Sequence, residues 1–330
     1  MDPNYRTPVT EEFNGGYTWA INNKTAFEAE YVHVLSLHEN KTINLDPVIP
    51  VTPNSITTTS KTGAPGGFFQ PLDAAFAAAG APRLGSLRDE QSIGRSRYDG
   101  MNLSFRQRSF HRMDLTVNYT LARAVGYNED GGSFRYYPRD PQNPLAPNEF
   151  GPSFNDERHH VTIAATAHMP LGLEFSPILQ FGSARPYNPI AAANSINLGG
   201  GNDTGTLIVP KNDQSNLTAF IDPTTGLPNK LAASQCYYGG NCVVAPYDSQ
   251  RGDPYFDMDA RLAKNIKMGE NRNLQLMFQA FNLTNHANYG NDFGNVVGDS
   301  TFGHPIGFIN PSSSLLPRAF TGEFGARFSF

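Results

Sequence analysis

Apolar and polar residues alternate along much of this chain with a period of two, and the C-terminal segment shows the alternation most clearly. One face of this segment is apolar and the opposite face is polar or small over about eleven residues. The first face carries Phe320, Gly322, Phe324, Ala326, Phe328 and Phe330, and the second carries Thr321, Glu323, Gly325, Arg327 and Ser329. Because successive side chains of a β-strand point to opposite sides, the pattern predicts a strand with one apolar face.

The same alternation recurs upstream, so that the sequence predicts about nine strands of about 9–12 residues, longer than the usual strand. The other eight segments are Tyr17–Ile21, Phe27–Leu35, Met101–Arg106, Met113–Leu121, His160–Met169, Leu173–Phe181, Phe256–Lys267 and Asn273–Phe281. Pro177 lies on the apolar face of the segment Leu173–Phe181. Because proline has no N–H for the ladder, it predicts a sheet edge or a bulge at this point.

Short and long connections alternate strictly between these strands. The short ones are 22–24, 109–112, 170–172 and 268–272, and the long ones are 38–97, 126–157, 184–254 and 285–318. Four structureless loops of that length are unusual in a soluble domain, whereas a transmembrane barrel has short periplasmic turns and long extracellular loops. We therefore predict an all-β protein with an antiparallel transmembrane β-barrel, its apolar face towards lipid. A soluble sandwich with the apolar face inward remains an alternative.

Composition and charge narrow the function classes. The 330 residues include 31 Gly, 25 Pro and 23 Phe, with only 17% charged residues, which argues against a coiled coil and against full disorder. The net charge of -5 argues against a nucleic-acid partner. The sequence contains no apolar run of about 18 residues, so no transmembrane helix is predicted. Residues 1–10 have neither the basic nor the apolar region of a signal peptide.

Several motifs resemble those of a known family. The stretch Tyr255–Tyr289, with Asp and Arg on one face, a Gly-containing turn and Phe-Asn-Leu-x-Asn, resembles the penultimate hairpin of TonB-dependent outer-membrane receptors. Phe154–Pro186, from Asp-x-Arg-His to Ser-x-Arg-Pro, and Tyr98–Ala124 are also similar. The opening DPNYRTP is similar to the mid-barrel of the subgroup with a carboxypeptidase-regulatory-like domain (the Oar-like type). The terminal Phe330 resembles the terminal aromatic residue of outer-membrane barrel proteins.

The resemblance implies a fold and a role. Such receptors have a barrel of about twenty-two strands, an N-terminal plug and a TonB-contacting box. Residues 1–330 would then be about nine C-terminal strands of that barrel, without plug, TonB box or signal peptide, as a piece of a longer receptor. The expected location is the bacterial outer membrane. The implied function is energised uptake of a scarce nutrient, with the chain supplying barrel wall and outer ligand-binding loops.

The implied partners are outer-membrane lipid, the barrel-assembly machinery, the TonB system through the missing plug, and a siderophore, oligosaccharide or peptide ligand. No catalytic constellation is evident, so neither an enzyme nor a cofactor is expected. Two alternatives stay open: a small porin-like barrel that assembles by itself, and a soluble secreted β-protein that binds carbohydrate. The resemblance also implies that Phe330, with Phe328, forms the signal that the assembly machinery recognises.

Two further groups of residues are candidates for a role. Asp257, Asp259 and Arg261 share a strand face, as do Glu323 and Arg327. Two carboxylates could serve acid–base chemistry, but without a nucleophile nearby we expect charges that line the barrel lumen and pair across strands.

The two cysteines, Cys236 and Cys242, lie in the longest loop, in CYYGGNC. Such a pair could bind a metal or act in redox chemistry. A zinc site would need a second pair of Cys or His residues, which is not found nearby. The outside of a cell is oxidising, and two glycines allow a tight turn between the cysteines. We therefore predict a disulfide that closes the tip of an extracellular loop.

Overall fold

The computed structural model of the chain describes residues 2–52, 55–61, 63–84, 87–127, 138–140, 142–193, 196, 205–269, 272–309 and 319–330. Nine long strands form one antiparallel sheet in which neighbours in sequence are neighbours in space. They are β1 (Val9–Asn22), β2 (Thr25–Asn44), β3 (Arg88–Phe110), β4 (Met113–Tyr127), β5 (His159–Met169), β6 (Leu173–Gly182), β7 (Tyr255–Lys267), β8 (Asn273–Phe281) and β9 (Thr321–Ser329). Within the described residues β1 and β9 do not pair with each other, so the sheet is open.

The remaining elements are short and lie in the connections. The helices are α1 (Pro71–Ala78), α2 (Lys230–Tyr238) and the 3₁₀ turns Pro147–Glu149 and Pro170–Gly172. Four small pairings join Ile49–Pro50 with Phe68–Phe69, Pro186–Tyr187 with Gln250–Arg251, Ile190–Ala191 with Val296–Val297, and Ile208–Pro210 with Cys242–Val244. The strand Phe150–Pro152 pairs with β4. In the described part of the chain, neither helix combines the length and the apolar run that a membrane crossing requires.

The strand register gathers the apolar positions on one continuous face. One row of cross-strand partners runs over seven strands as Trp19, Phe27, Phe105, Val117, Ile163, Leu179 and Met258. The adjacent row on the opposite face runs as Thr18, Glu28, Ser104, Asn118, Thr162, Gln180 and Asp257. Because a shift of one residue would exchange the two faces, the period of two in the sequence fixes this register.

Two strands are much longer than the sequence predicts. β2 continues to Asn44 and β3 already begins at Arg88, so the predicted loop 38–97 is wrong at both ends. Glu90 secures this extension, because its carboxylate accepts hydrogen bonds from Asn40 Nδ2 at 2.6 Å and Thr42 Oγ1 at 2.8 Å. The extension carries polar residues and a bulge at residues 37–41, and it therefore lacks the alternation by which strands are recognised.

Pro177 lies in the interior of β6, and neither predicted alternative, a sheet edge or a bulge, is found there, because β6 is paired on both sides and its register is the same before and after this residue. On the β7 side it pairs with Ala260 in unbroken register. On the β5 side, among the described residues, the ladder is interrupted between Ala164, which pairs with Ile178, and Ala167, which pairs with Phe175. The missing N–H of proline therefore costs pairing on one side only.

The buried core lies mainly in the long connections. At the end of the sheet where these connections gather, which we call the loop end, three apolar clusters form. The first contains Ile196, Ile208, Ala233, Cys242 and Val244, the second Ala191, Leu207, Val209, Ala245 and Val297, and the third Val48, Ile56 and Phe68. The long connections were predicted to be structureless, and over their described parts this is wrong because they pack on one another. The opposite end, with the short turns, is called the turn end.

Candidate functional site

A cavity of about 850 Å³ lies within the loop end. Its walls come from the segment 140–149, from the end of α2 and from the strand Cys242–Val244. The lining residues are Asp140, Gln142, Asn143, Pro144, Leu145, Ala146, Pro147, Asn148, Glu149, Lys211, Gln214, Tyr237, Tyr238, Gly240, Cys242, Val243 and Val244. Amide, phenol and carboxylate groups thus alternate with apolar surface, the composition of a site that orients a polar small molecule.

A buried charge cluster holds one wall of the cavity. Glu149 is fully buried, and its carboxylate accepts hydrogen bonds from the backbone N–H of Arg139 at 3.2 Å and of Asp140 at 3.0 Å. The Arg139 guanidinium lies 3.7 Å from Glu149 Oε1, and the Lys41 ammonium lies 4.0 Å from Oε2. One carboxylate is therefore shared by two cations, one on the extension of β2 and one beside the segment that lines the cavity.

Arg139 also joins its own segment to residues 245–247. Its guanidinium donates to the carbonyl oxygens of Asn148 at 2.6 Å and Ala245 at 2.8 Å, and its face lies 4.9 Å from the centroid of the Tyr247 ring. A guanidinium group is planar and carries several N–H donors, so it can bind more than one backbone carbonyl oxygen at once. The wall of the cavity is consequently held in place before any ligand arrives.

Two tyrosines from the last turn of α2 face the same cavity. The Tyr237 hydroxyl donates to Asp140 Oδ1 at 2.6 Å, and the Tyr238 hydroxyl donates to the carbonyl oxygen of Val48 at 3.1 Å. Burial, with the negative charge of Asp140 nearby, raises the pKa of both phenols above the ordinary value. Both hydroxyls therefore stay protonated and act as fixed hydrogen-bonding groups.

The acidic residues of this cavity were missed by the sequence analysis. Asp140 and Glu149 lie in the segment 138–149, whose prolines indicate a loop and nothing more. The one available signal was a pair of acids in an otherwise apolar and amide-rich stretch. In the part of the chain that the structure describes, no group of three or more His, Cys, Asp or Glu side chains is placed to hold a metal ion.

Cys236 and Cys242 lie beside the cavity, joined by a disulfide. Cys236 belongs to α2, and Cys242 begins the strand that pairs with Ile208–Pro210. Asn229 caps the start of α2, because its side chain accepts from the N–H of Ala232 at 3.2 Å. The disulfide thus ties the end of a capped helix to a buried strand.

Replacing both cysteines with alanine should destabilise the loop end by about 2 kcal/mol, the value expected for so short a closed loop. The cysteines are separated by six residues. The urea concentration at which a protease begins to cut near α2 measures the change. A reductant should lower this concentration in the parent chain and have no effect on the double variant. Equal resistance of the two proteins would contradict the prediction.

The residues predicted to line the lumen all lie on the polar face, but they do not form one cluster. Asp257 is only 2% exposed, and Asp259 Oδ1 accepts from the backbone N–H of Asn282 at 2.9 Å. Arg261 donates to Gln275 Oε1 at 3.3 Å.

Register places the other two charges further along the sheet. Gln279 lies between Arg261 and Glu323, and Arg327 lies opposite Gln275. Both Glu323 and Arg327 are exposed on β9.

Phe328 and Phe330 lie at the turn end. Phe328 pairs with Leu274 on the apolar face, and Phe330 is 95% exposed. Their ring centroids are 6.0 Å apart. These two rings therefore make an apolar surface that the described sheet leaves uncovered.

Residues of the stretch from Asp-x-Arg-His to Ser-x-Arg-Pro form hydrogen bonds and ion pairs at the loop end. Asp156 accepts from the Arg251 guanidinium at 2.9 Å, and Glu157 accepts from Arg185 at 2.9 Å and from His160 Nδ1 at 2.6 Å. Burial alone would raise the pKa of Glu157, but the hydrogen bonds from His160 and Arg185 outweigh it and lower the pKa. These pairs fasten the ends of β5, β6 and β7 to one another.

The motif Phe-Asn-Leu-x-Asn ends β8. Asn282 is fully buried with φ of 46°, in the left-handed region that asparagine tolerates. Its side chain accepts from the N–H of His286 at 2.9 Å and donates to the carbonyl oxygen of the same residue at 3.0 Å. Asn285 then accepts from the N–H of Phe320 at 3.0 Å and so anchors the start of β9. The motif therefore forms the connection between two strands.

Comparison with family models gives a match over most of the chain. A family model described as "Outer membrane beta barrel domain" matches residues 1–318. No curated protein matches.

Two solved structures are similar, both from Escherichia coli. The outer membrane transporter YddB shares 12% identity at a TM-score of 0.43, over 86% of this chain and 29% of that one. The ferric-catecholate import receptor Fiu of strain K12 shares 11% identity at a TM-score of 0.45, over 99% of this chain and 28% of that one. The chain spans less than a third of the length of either protein.

Proposed function

The chain belongs to the outer membrane beta barrel domain family, and from this premise we propose that it supplies barrel wall and outer ligand-binding loops to a TonB-dependent receptor. Its location is the bacterial outer membrane. The proposed activity of the whole receptor is the energised uptake of a scarce nutrient. The residue motifs that resemble this receptor family support the proposal, as do the short turns and long connections of the sheet.

The observation that carries the proposal is the separation of two environments along the sheet. The apolar face has its large side chains uncovered, with Phe13, Tyr17 and Trp19 at 65%, 72% and 55% exposure. The loop end, in contrast, buries its own apolar clusters as a water-soluble domain does. A sheet with a lipid-facing band and folded outer loops combines both properties.

The orientation and the closure of the barrel follow from the same proposal. The turn end would face the periplasm and the loop end the outside, as in other outer-membrane barrels. The outer edges of β1 and β9 carry backbone groups without partners in the described sheet. Hydrocarbon does not tolerate such groups, so we propose that further strands of a barrel of about twenty-two strands cover both edges.

The proposed partners are the surrounding lipid, the barrel-assembly machinery, the TonB system acting through a plug, and a ligand that enters the loop-end cavity. A siderophore, an oligosaccharide or a peptide would each find hydrogen-bonding groups there. The proposal gives the chain no catalytic role. Membership in an outer-membrane family speaks against the alternative of a soluble secreted carbohydrate-binding protein, while a passive porin-like barrel remains an outcome of the test.

Uptake measurements test the proposal directly. Cells that carry the gene and cells that lack it receive labelled ferrichrome, maltohexaose or a tripeptide at limiting concentration. We expect uptake of one probe to depend on the gene and to stop when a protonophore removes the energy of the inner membrane. Gene-dependent uptake that the protonophore leaves unchanged would contradict energised transport and favour the passive barrel. No gene-dependent uptake of any probe would contradict a receptor for these ligand classes.

A further inference from the structure

The apolar face of the sheet carries charged side chains towards the loop end. On β2, β3 and β4 the apolar row Tyr31, Met101 and Leu121 is followed on the same face by His33, Asp99 and Arg123. The two rows beyond contain Arg97, between Leu35 and Val125, and Arg95, opposite Leu37. A group of arginines therefore lies directly above the apolar band, on the outside of the sheet.

We propose that this surface, defined by Arg97 and Arg123 and called here the arginine patch, binds the phosphate groups of a phosphorylated glycolipid in the outer leaflet. Guanidinium groups are the preferred partners of phosphate because they donate two parallel hydrogen bonds. The inference rests on the proposed orientation, with the loop end outward. It concerns lipid and not the transported ligand, so it can fail while the uptake proposal stands.

The two arginines are placed to act together. Arg123 lies opposite Asp99, and Arg97 lies two residues before Asp99 on the same face of β3. Such diagonal positions in a ladder are about 7–8 Å apart, which two long side chains can bridge to one phosphate group. Arg123 is exposed, and its side chain has no hydrogen-bond or ion-pair partner among the residues that the structure describes.

The acidic groups nearby do not cancel the positive charge. Asp99 accepts from the Tyr31 hydroxyl at 2.8 Å, lies 2.8 Å from His33 Nδ1, and pairs with Arg97 Nε at 3.0 Å. The same arginine is 45% exposed and keeps its terminal nitrogens available. Glu11 lies on β1, opposite Leu35, and the strands β2 and β3 separate it from Arg123 on β4.

Aromatic side chains frame the arginine patch. Arg95 lies 5.4 Å from the ring centroid of Phe150 and 5.8 Å from that of Tyr127, and is thereby held in the same surface. Below the patch, the Tyr119 hydroxyl lies 2.8 Å from His159 Nδ1. Aromatic residues of this kind mark the boundary between hydrocarbon and headgroups in membrane barrels. Fatty chains on the apolar band would thus place a phosphorylated headgroup at the height of the arginines.

The test measures lipid that stays with the protein. The full protein is extracted from outer membranes in mild detergent, and lipid A released by acid is counted per protein by mass spectrometry. We expect the R97Q/R123Q variant to retain about tenfold less, the loss expected when a charge-assisted hydrogen bond is removed. The variant R97K/R123K, which keeps both charges but loses the paired donors of the guanidinium groups, should retain an intermediate amount. The matched control is R272Q, the same change at an exposed arginine of the turn end.

Each outcome decides for or against the arginine patch. Equal lipid in R97Q/R123Q and in the parent protein would overturn the proposal, and so would an equal loss in R272Q. Displacement of the lipid by millimolar inorganic phosphate would show a general anion site and overturn the assignment to a lipid surface. Should the double variant fail to reach the outer membrane, R123Q alone decides, because no described contact of that side chain supports the fold.

Discussion

Replacing Glu149 with alanine should unfold the loop end while the strands of the apolar band stay in place. The substitution leaves the buried Lys41 and the half-buried Arg139 without their shared carboxylate, and it removes two hydrogen bonds to backbone N–H groups. Breaking a buried ion pair from one side costs about 3–5 kcal/mol, because the remaining charge has no water to solvate it. The loop end should therefore open far more often than in the parent protein.

Limited trypsin digestion of the protein in outer membranes measures this opening. Cleavage after Lys230, at the start of α2, should accelerate at least about a hundredfold, which corresponds to the lower end of that cost. The matched control is Asp213→Ala, an exposed loop carboxylate that accepts one hydrogen bond from Ser215, and its cleavage rate should stay unchanged. A slow, parent-like rate in E149A would show that the buried cluster does not hold the loop end together.

Replacing Phe330 with serine should prevent most of the protein from reaching the outer membrane in folded form. The assigned role of this residue, recognition by the assembly machinery, rests on its resemblance to the terminal aromatic residue of barrel proteins. The side chain is 95% exposed and therefore adds little to the stability of the sheet itself. A loss of folded protein on substitution would then reflect recognition and not packing.

Quantitative blotting of outer-membrane fractions, with heat-dependent gel mobility to report folding, measures the effect. Phe324→Ser is the matched control, since Phe324 lies within β9, which ends one residue before Phe330, and is 88% exposed. It should assemble nearly as well as the parent, and Phe328→Ser should be intermediate. Normal assembly of the Phe330 variant would refute the role, and equal losses at Phe324 and Phe330 would show that general apolarity, not position, is recognised.

The strands within the apolar band could be predicted from the sequence, since alternation leaves a strong signal there. The predicted segment Asn273–Phe281 coincides with β8, and Leu173–Phe181 differs from β6 by one residue. The outer parts of β2 and β3 have no such signal. They are held by ladder pairing and by hydrogen bonds to Glu90, contacts that do not require apolar and polar residues to alternate.

The candidate site also has parts that could be predicted from the sequence and parts that could not. The cysteine pair could be found from its spacing along the chain, and the charges of β7 and β9 could be placed on the polar face from the alternation. The partners of Glu149 come from residues 41 and 139, and the cavity joins segments about a hundred residues apart in sequence. Such contacts depend on how the long connections pack, and no local pattern encodes them. Asn282 is an intermediate case, because its motif was visible but its left-handed conformation was not.

The buried clusters of the loop end have a consequence for how selectivity can arise. A loop that orders itself on binding loses conformational entropy, and this loss subtracts from the affinity. Here Cys242 and Val244 are part of an apolar cluster and also line the cavity, so the wall is already ordered. A ligand would meet a preformed surface, and a change of specificity would require repacking of that cluster and not merely an exchange of surface side chains. Evolution of new cargo in such a protein is thus coupled to the folding stability of its outer loops.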